Sequence, residues 1–262
     1  MKLLFYIFLL IGFCLLTNSC KKSKNKPRLQ SSNFASTYSD SDLEKEDFFD
    51  ETNIYYLTKN FSYFSSDDWN NLKQELINGT VASNDFKVLI SRLKSYSYEQ
   101  VPIDIANTII DIGTNCPNQG YSHKLTMIGT VCLYPNDLKT ANTIILNLLN
   151  SMSKTSFDQL DFLNCINIFV TQNAITRNYK YIEDELGKIS KLMSSNEEII
   201  NNIAWFTIFM YFDDHSNLED VKIGFKKFEE VLSNNSFSDD FKSKTEELYK
   251  IYKNKFSNED LE

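Results

Sequence analysis

An all-α fold is the prediction, and three features of the chain carry it. Apolar residues recur at spacings of three and four behind helix-capping residues, the pattern of amphipathic helices. Strand-like alternation is nearly confined to "NFSYF" at 60–64. Glycine (7) and proline (4) are scarce, which disfavours turn-dense sandwiches and barrels. From residue 66 onward the predicted helix starts recur about every 19 residues, so two helices per unit give a period near 38, as in helical-hairpin solenoids. The expected architecture is a right-handed α-α superhelix of irregular helical hairpins. A compact α-bundle is the alternative.

The predicted helices span 42–59, 66–78, 84–96, 102–112, 122–133, 137–151, 156–172, 178–193, 196–212, 217–232 and 239–256. Ser41…Glu44, Ser156…Gln159, Ser195…Glu198 and Ser216…Glu219 fit the capping box, in which both side chains satisfy first-turn N–H groups. Ser65 or Ser66 precedes Asp67 and Asp68, whose charges suit a helix N-terminus. Pro102 suits a first helical position. Gly79 and Gly113 fall where C-terminal caps belong. "FDQLDFLNCINIFV" (157–170) and "IAWFTIFMYF" (203–212) are apolar nearly all round, so they are expected at the centre of the stack. The alternative for the second run is an aromatic groove using Trp205, Phe206, Phe209 and Tyr211 to grip a peptide or lipid. The last two helices are amphipathic, with Lys and Glu on an outer face.

The period resembles HEAT and tetratricopeptide arrays. "WNNL" (69–72) matches an opening W-x₂-L, but Lys73 stands where that family has glycine, and the later signature positions fail. The chain holds only six alanines, which argues against close helix crossing at small residues. The expected array is therefore irregular, and no family is assigned to it.

The N-terminus carries a different message. Lys2 is the only charge before residue 21, and residues 3–16 are apolar except for Tyr6 and Gly12. That run is too short for a transmembrane helix, which needs about 20 apolar residues. A basic start followed by such a run is a secretory signal. The segment ends Leu16-Thr17-Asn18-Ser19-Cys20 and resembles the lipobox of bacterial lipoproteins, in its relaxed Bacteroidetes-like form. Thr17 sits where the strict pattern has leucine. The resemblance covers about 20 residues and implies a signal peptide at 1–19, cleavage before Cys20 and a lipid on its thiol. By the same resemblance, lysine at position 21 favours the outer membrane, and basic residues after the cysteine favour the periplasmic leaflet. Two or more acyl chains hold a protein stably. Lys21, Lys22, Lys24, Lys26 and Arg28 add attraction to anionic head groups, about 1 kcal/mol each. Residues 20–40 read as a basic, then Ser-rich, flexible tether. Residues 41–262 read as the helical domain.

Beyond residue 39 the chain has 21 basic and 35 acidic residues, so it carries −14. Such a surface repels nucleic acid. Cys116, Cys132 and Cys165 remain in the domain, an odd number. Cys116 and Cys132 lie near opposite ends of one predicted helix, too far apart for a disulfide. Cys165 is expected buried as a small hydrophobe.

Chemistry-bearing patterns are few. Asp213, Asp214, His215 and Glu219 could in principle ligate a divalent ion, but no second histidine lies at ligand spacing. These acids also suit the next helix N-terminus. Ser122 stands beside His123, yet adjacent helical residues diverge by about 100°, so Ser122 reads as a helix cap. "SRLK" (91–94) and "SMSK" (151–154) match S-x-x-K without its companion motifs. No Walker loop, dinucleotide fingerprint, H-E-x-x-H or C-x-x-C pair occurs. The expectation is a lipid-anchored envelope protein with a helical binding module for a protein or peptide, without catalytic residues, metal or cofactor. An immunity-type lipoprotein that occludes a toxin and an envelope hydrolase using His215 or His123 are the alternatives.

Overall fold

The computed structural model describes residues 59–97, 101–212 and 216–257. The predicted signal, Cys20, the tether, the helix at 42–59 and its Ser41 cap lie outside them. Among the described residues there is no strand. Ten α-helices follow one another: α1 (Ser66–Ile77), α2 (Ser83–Tyr96), α3 (Ile103–Asn115), α4 (Gln119–Leu133), α5 (Leu138–Met152), α6 (Gln159–Ala174), α7 (Tyr179–Leu192), α8 (Glu197–Phe209), α9 (Leu218–Ser233) and α10 (Asp239–Ser257). All fall within residues 53–262.

Each helix packs on its sequence neighbour, and many also pack on the next but one: α1 on α3, α2 on α4, α4 on α6, α5 on α7 and α6 on α8. Side chains extend the pattern. Trp205 of α8 lies 5.1 Å from Phe241 of α10, and Lys227 of α9 reaches Glu183 of α7 at 3.0 Å. The helices thus form two rows, even-numbered and odd-numbered. Successive starts within a row are separated by 35 to 42 residues, the helical-hairpin period that the sequence predicts.

The two apolar helices are central. Phe162, Ile166 and Phe169 of α6 are fully buried, as are Ile199 and Ile208 of α8. Met210–Phe212 tightens into one 3-10 turn instead of continuing α8. Residues 60–64 make no strand. Phe61–Tyr63 is a 3-10 turn capped by the Asn60 side chain, and Phe61 stacks on Trp69 at 5.7 Å.

Caps differ from expectation in an orderly way. Ser65 forms the α1 capping box with Asp68, and Gly79 ends α1 at φ 68°, as predicted. Thr80 N–H donates to Glu75 O and Gly79 N–H to Leu76 O, the paired bonds of a glycine-terminated helix. At α6, α8 and α9 the serine is displaced by its neighbour. Asp158, Asn196 and Asn217 are the caps, and Asn217 forms a box with Asp220. Carboxylate and amide oxygens compete well for these N–H groups, so the helix starts one or two residues later. Pro102 is the residue before α3, not its first. Ser122 caps nothing, because α4 begins at Gln119 behind Asn118, whose side chain accepts from Tyr121 N–H.

Gly113 also departs from the prediction. It does not end α3 but lies buried inside it, where a Cβ would meet the Thr126 amide nitrogen at 2.6 Å. Gly129 of α4 faces α3 in turn, and a Cβ there would lie 2.8 Å from Ile110 N. The α3–α4 hairpin is therefore a small-residue crossing, contrary to the inference from the low alanine count. Two glycines suffice where two backbones meet.

Candidate functional site

Cys20 and the Asp213, Asp214 and His215 cluster lie outside the described residues. Glu219 is exposed and pairs with Lys222. Among the described residues no three His, Cys, Asp or Glu side chains could hold a metal ion. No helix among them is long and apolar enough to cross a membrane. Cys116, Cys132 and Cys165 are free and buried. Burial pushes the Cys132 thiol up to about 12 and the Cys165 thiol higher, so neither is a nucleophile at neutral pH.

The aromatic groove is corrected to core. Trp205, Phe206, Phe209 and Tyr211 are 5%, 8%, 7% and 5% exposed. Trp205 Nε1 donates to Thr245 Oγ1 at 3.0 Å. Phe209 stacks on Tyr252 at 5.5 Å, and Tyr211 donates to Glu183 Oε1 at 2.9 Å. Helix α10 and the flank of α7 cover this run, and neither contact was legible from the run itself.

The open face of the even row lies elsewhere. Beyond their first turns, α4, α6 and α8 have no fully exposed residue. Odd-row helices α3, α5 and α7 each present several. Most of what remains half-buried on α6 is a single line: Leu160, Asn164, Asn167 and Thr171, at helical spacing. Ile200, Ala204 and Thr207 continue it on α8, and Tyr121, Lys124 and Val131 on α4. This is a recessed seam of amide, hydroxyl and small apolar groups. The signal was present in the sequence as the polar positions of an otherwise apolar α6, but all-round apolarity masked it.

At one end of the seam stands the principal charge cluster of the interior. Asp161, in the first turn of α6, pairs with Lys124 of α4. Lys94 of α2 is near enough to sense both. Burial and then Lys124 hold its ammonium below the ordinary lysine range, against the pull of Asp161. His123 is buried beside them, and burial lowers its value below that of free imidazole. Ser122 and His123 belong to the same turn, and no Ser122–His123 hydrogen bond forms. Phe86 of α2 and Tyr121 of α4 stack at 3.5 Å, locking the two helices that carry the lysines.

Two buried polar atoms on these helices have no hydrogen-bond partner: Gln159 Nε2 of α6 and Asn201 Oδ1 of α8. By contrast, the Asn142 and Asn173 amides in the interior are paired. They exchange hydrogen bonds of 2.8 and 2.7 Å, and Tyr134 O–H donates to Asn142 Oδ1 at 3.0 Å. The negative charge is displaced from this row. Residues 40–52 hold seven acids and one lysine, and residues 258–262 three acids. The segment between, 53–257, has 25 acids against 20 bases.

No family model, curated protein or solved structure matches the chain.

Proposed function

We propose that the chain is a lipid-anchored helical-repeat module of the bacterial envelope that binds a protein or peptide. Cys20 carries the lipid, and the basic tether holds the domain at the periplasmic face of the outer membrane. The observation that carries the binding role is the seam on α4, α6 and α8. Three neighbouring helices offer one continuous recessed line of hydrogen-bonding and apolar groups, while their larger hydrophobes are sealed in the core. Recessed surfaces with a few placed polar groups on an apolar ground are the usual form of binding sites.

Two measurements test the reading. Mass spectrometry of the mature N-terminus should find Cys20 first in the chain and acylated; cleavage elsewhere would remove the anchor. Photo-cross-linkers at Asn164 and Thr207 should yield a discrete adduct in living cells, whereas the same probe at Asn147, on α5, should not. Equal labelling from both rows would remove the binding role of the seam.

A further inference from the structure

We propose that the seam takes an extended peptide through its main chain, with an acidic side chain of that peptide seated at Lys94 and Lys124. This rests on the binding-module reading and specifies its partner.

The chemistry of the seam is the first reason. A carboxamide offers a donor and an acceptor in the same arrangement as a peptide group. Asn164 and Asn167 project from adjacent turns of α6, half-buried, with Thr207 on the neighbouring helix. The reciprocal Asn142–Asn173 pair shows the same amide-to-amide bonding inside this protein. Groups of this kind read the backbone and leave side-chain identity open.

Spacing is the second reason. Packed helices lie about 8–10 Å apart, so the four even helices α2 to α8 span roughly 27 Å. An extended chain rises about 3.4 Å per residue, so about eight residues cross the row. Alternate residues face the protein, at roughly 7 Å intervals, matching the change from one helix to the next over every two to three residues.

Charge complementarity fixes the end. Two ammonium groups, Lys94 and Lys124, stand around the single carboxylate of Asp161. The environment of Lys94 already disfavours its positive charge, so a carboxylate brought there is favoured by both lysines. The remaining seam positions on α6 and α8 are uncharged.

The test is selection of a random twelve-residue phage library on the full-length chain, with affinities of recovered peptides then read by fluorescence anisotropy. Recovered peptides should be enriched in Asp and Glu at one position. Asn164→Ala with Asn167→Ala should weaken them at least tenfold, and Lys94→Ala about fivefold. Changing the peptide's acid to its amide should produce the Lys94→Ala loss, and the two changes together should lose no more. That peptide-side change needs no altered protein, so it stands even where a variant misfolds. Affinities unchanged by the seam variants, or lowered only by Asn147→Ala with Lys188→Ala on the odd row, would place binding on another surface; the module reading then survives and this inference falls. Enrichment of basic or neutral peptides overturns the lysine anchor. Recovery of no peptide by a folded chain overturns the inference, and the module reading is then decided by the cellular cross-links alone.

Discussion

Arg177 holds φ at 56°, in the left-handed region where glycine is the common resident. Its N–H donates to Ala174 O at 2.8 Å, closing the end of α6, and its guanidinium donates to Asp220 Oδ2 at 2.6 Å. The same oxygen of Asp220 accepts from Asn217 N–H at the start of α9. Asp220→Ala removes a cap and a charge-assisted bond together, so urea unfolding should show a loss of about 2 kcal/mol. Arg177 is half exposed, and its ion pair is worth correspondingly little. Arg177→Gly relieves about 1 kcal/mol of left-handed strain and should be near neutral, while Arg177→Ala keeps the strain and should be the less stable. The reverse order would mean that the ion pair outweighs the backbone. Titration acts in two windows. His123 is depressed by burial, so the unfolded chain binds the proton more readily. The stability it contributes is present above pH about 6.5 and falls as the pH drops below that value. Lys59, then the Ser65 hydroxyl and N–H, hold Asp68 at about 2 against an ordinary 3.8. Its contribution is present above pH about 4 and is lost as the pH falls toward 2. His123→Gln should flatten the urea midpoint between pH 6.5 and about 5 and leave the drop below 4 intact; an unchanged upper slope would clear His123 of that role.

Helices were the most legible scale, and their ends the least. Apolar periodicity located all ten described helices, because burial of one face dominates helix stability in a fold. Cap choice depends on competition between adjacent side chains, which composition does not resolve; Asp158, Asn196 and Asn217 each won over a serine one or two places away. The α3–α4 crossing was hidden for a related reason, since two glycines at 113 and 129 acquire meaning only when the helices meet. Gly113→Val should force the hairpin apart and cost about 3 kcal/mol, seen as a lower urea midpoint. Gly187→Val, on α7 with open space around it, should cost about 1 kcal/mol or less. Equal losses at the two sites would argue that intrinsic helix propensity, not the crossing, sets the effect.

For the molecule as a whole, stability runs along the stack, each helix closing the one before it. The last closure is aromatic: Phe209, Phe212 and Phe228 are sealed by Tyr252 of α10, with ring centroids 5.5, 4.7 and 6.0 Å away. Truncation after residue 237 exposes that cluster together with Trp205, so the shortened chain should bind a hydrophobic dye and aggregate. A monomeric, dye-silent truncation would show that α10 is an accessory. The buried thiols provide a second readout of the whole stack. Cys132 and Cys165 should resist alkylation in the native chain and react only on unfolding, because each is sealed between rows.

The sequence by itself determined the helical class, the hairpin period, the central place of 157–170 and 203–212, and the lipobox resemblance that ends at Cys20. Each is a local pattern, read from neighbours within a few turns. Only the tertiary structure decided that Trp205, Phe206, Phe209 and Tyr211 are core, because the helix that covers them arrives about forty residues later. It also decided that the polar line on α6 faces open space and that Lys94, His123, Lys124 and Asp161 converge from three helices. Such convergence depends on how one row packs, a long-range property that no periodicity within a single helix records.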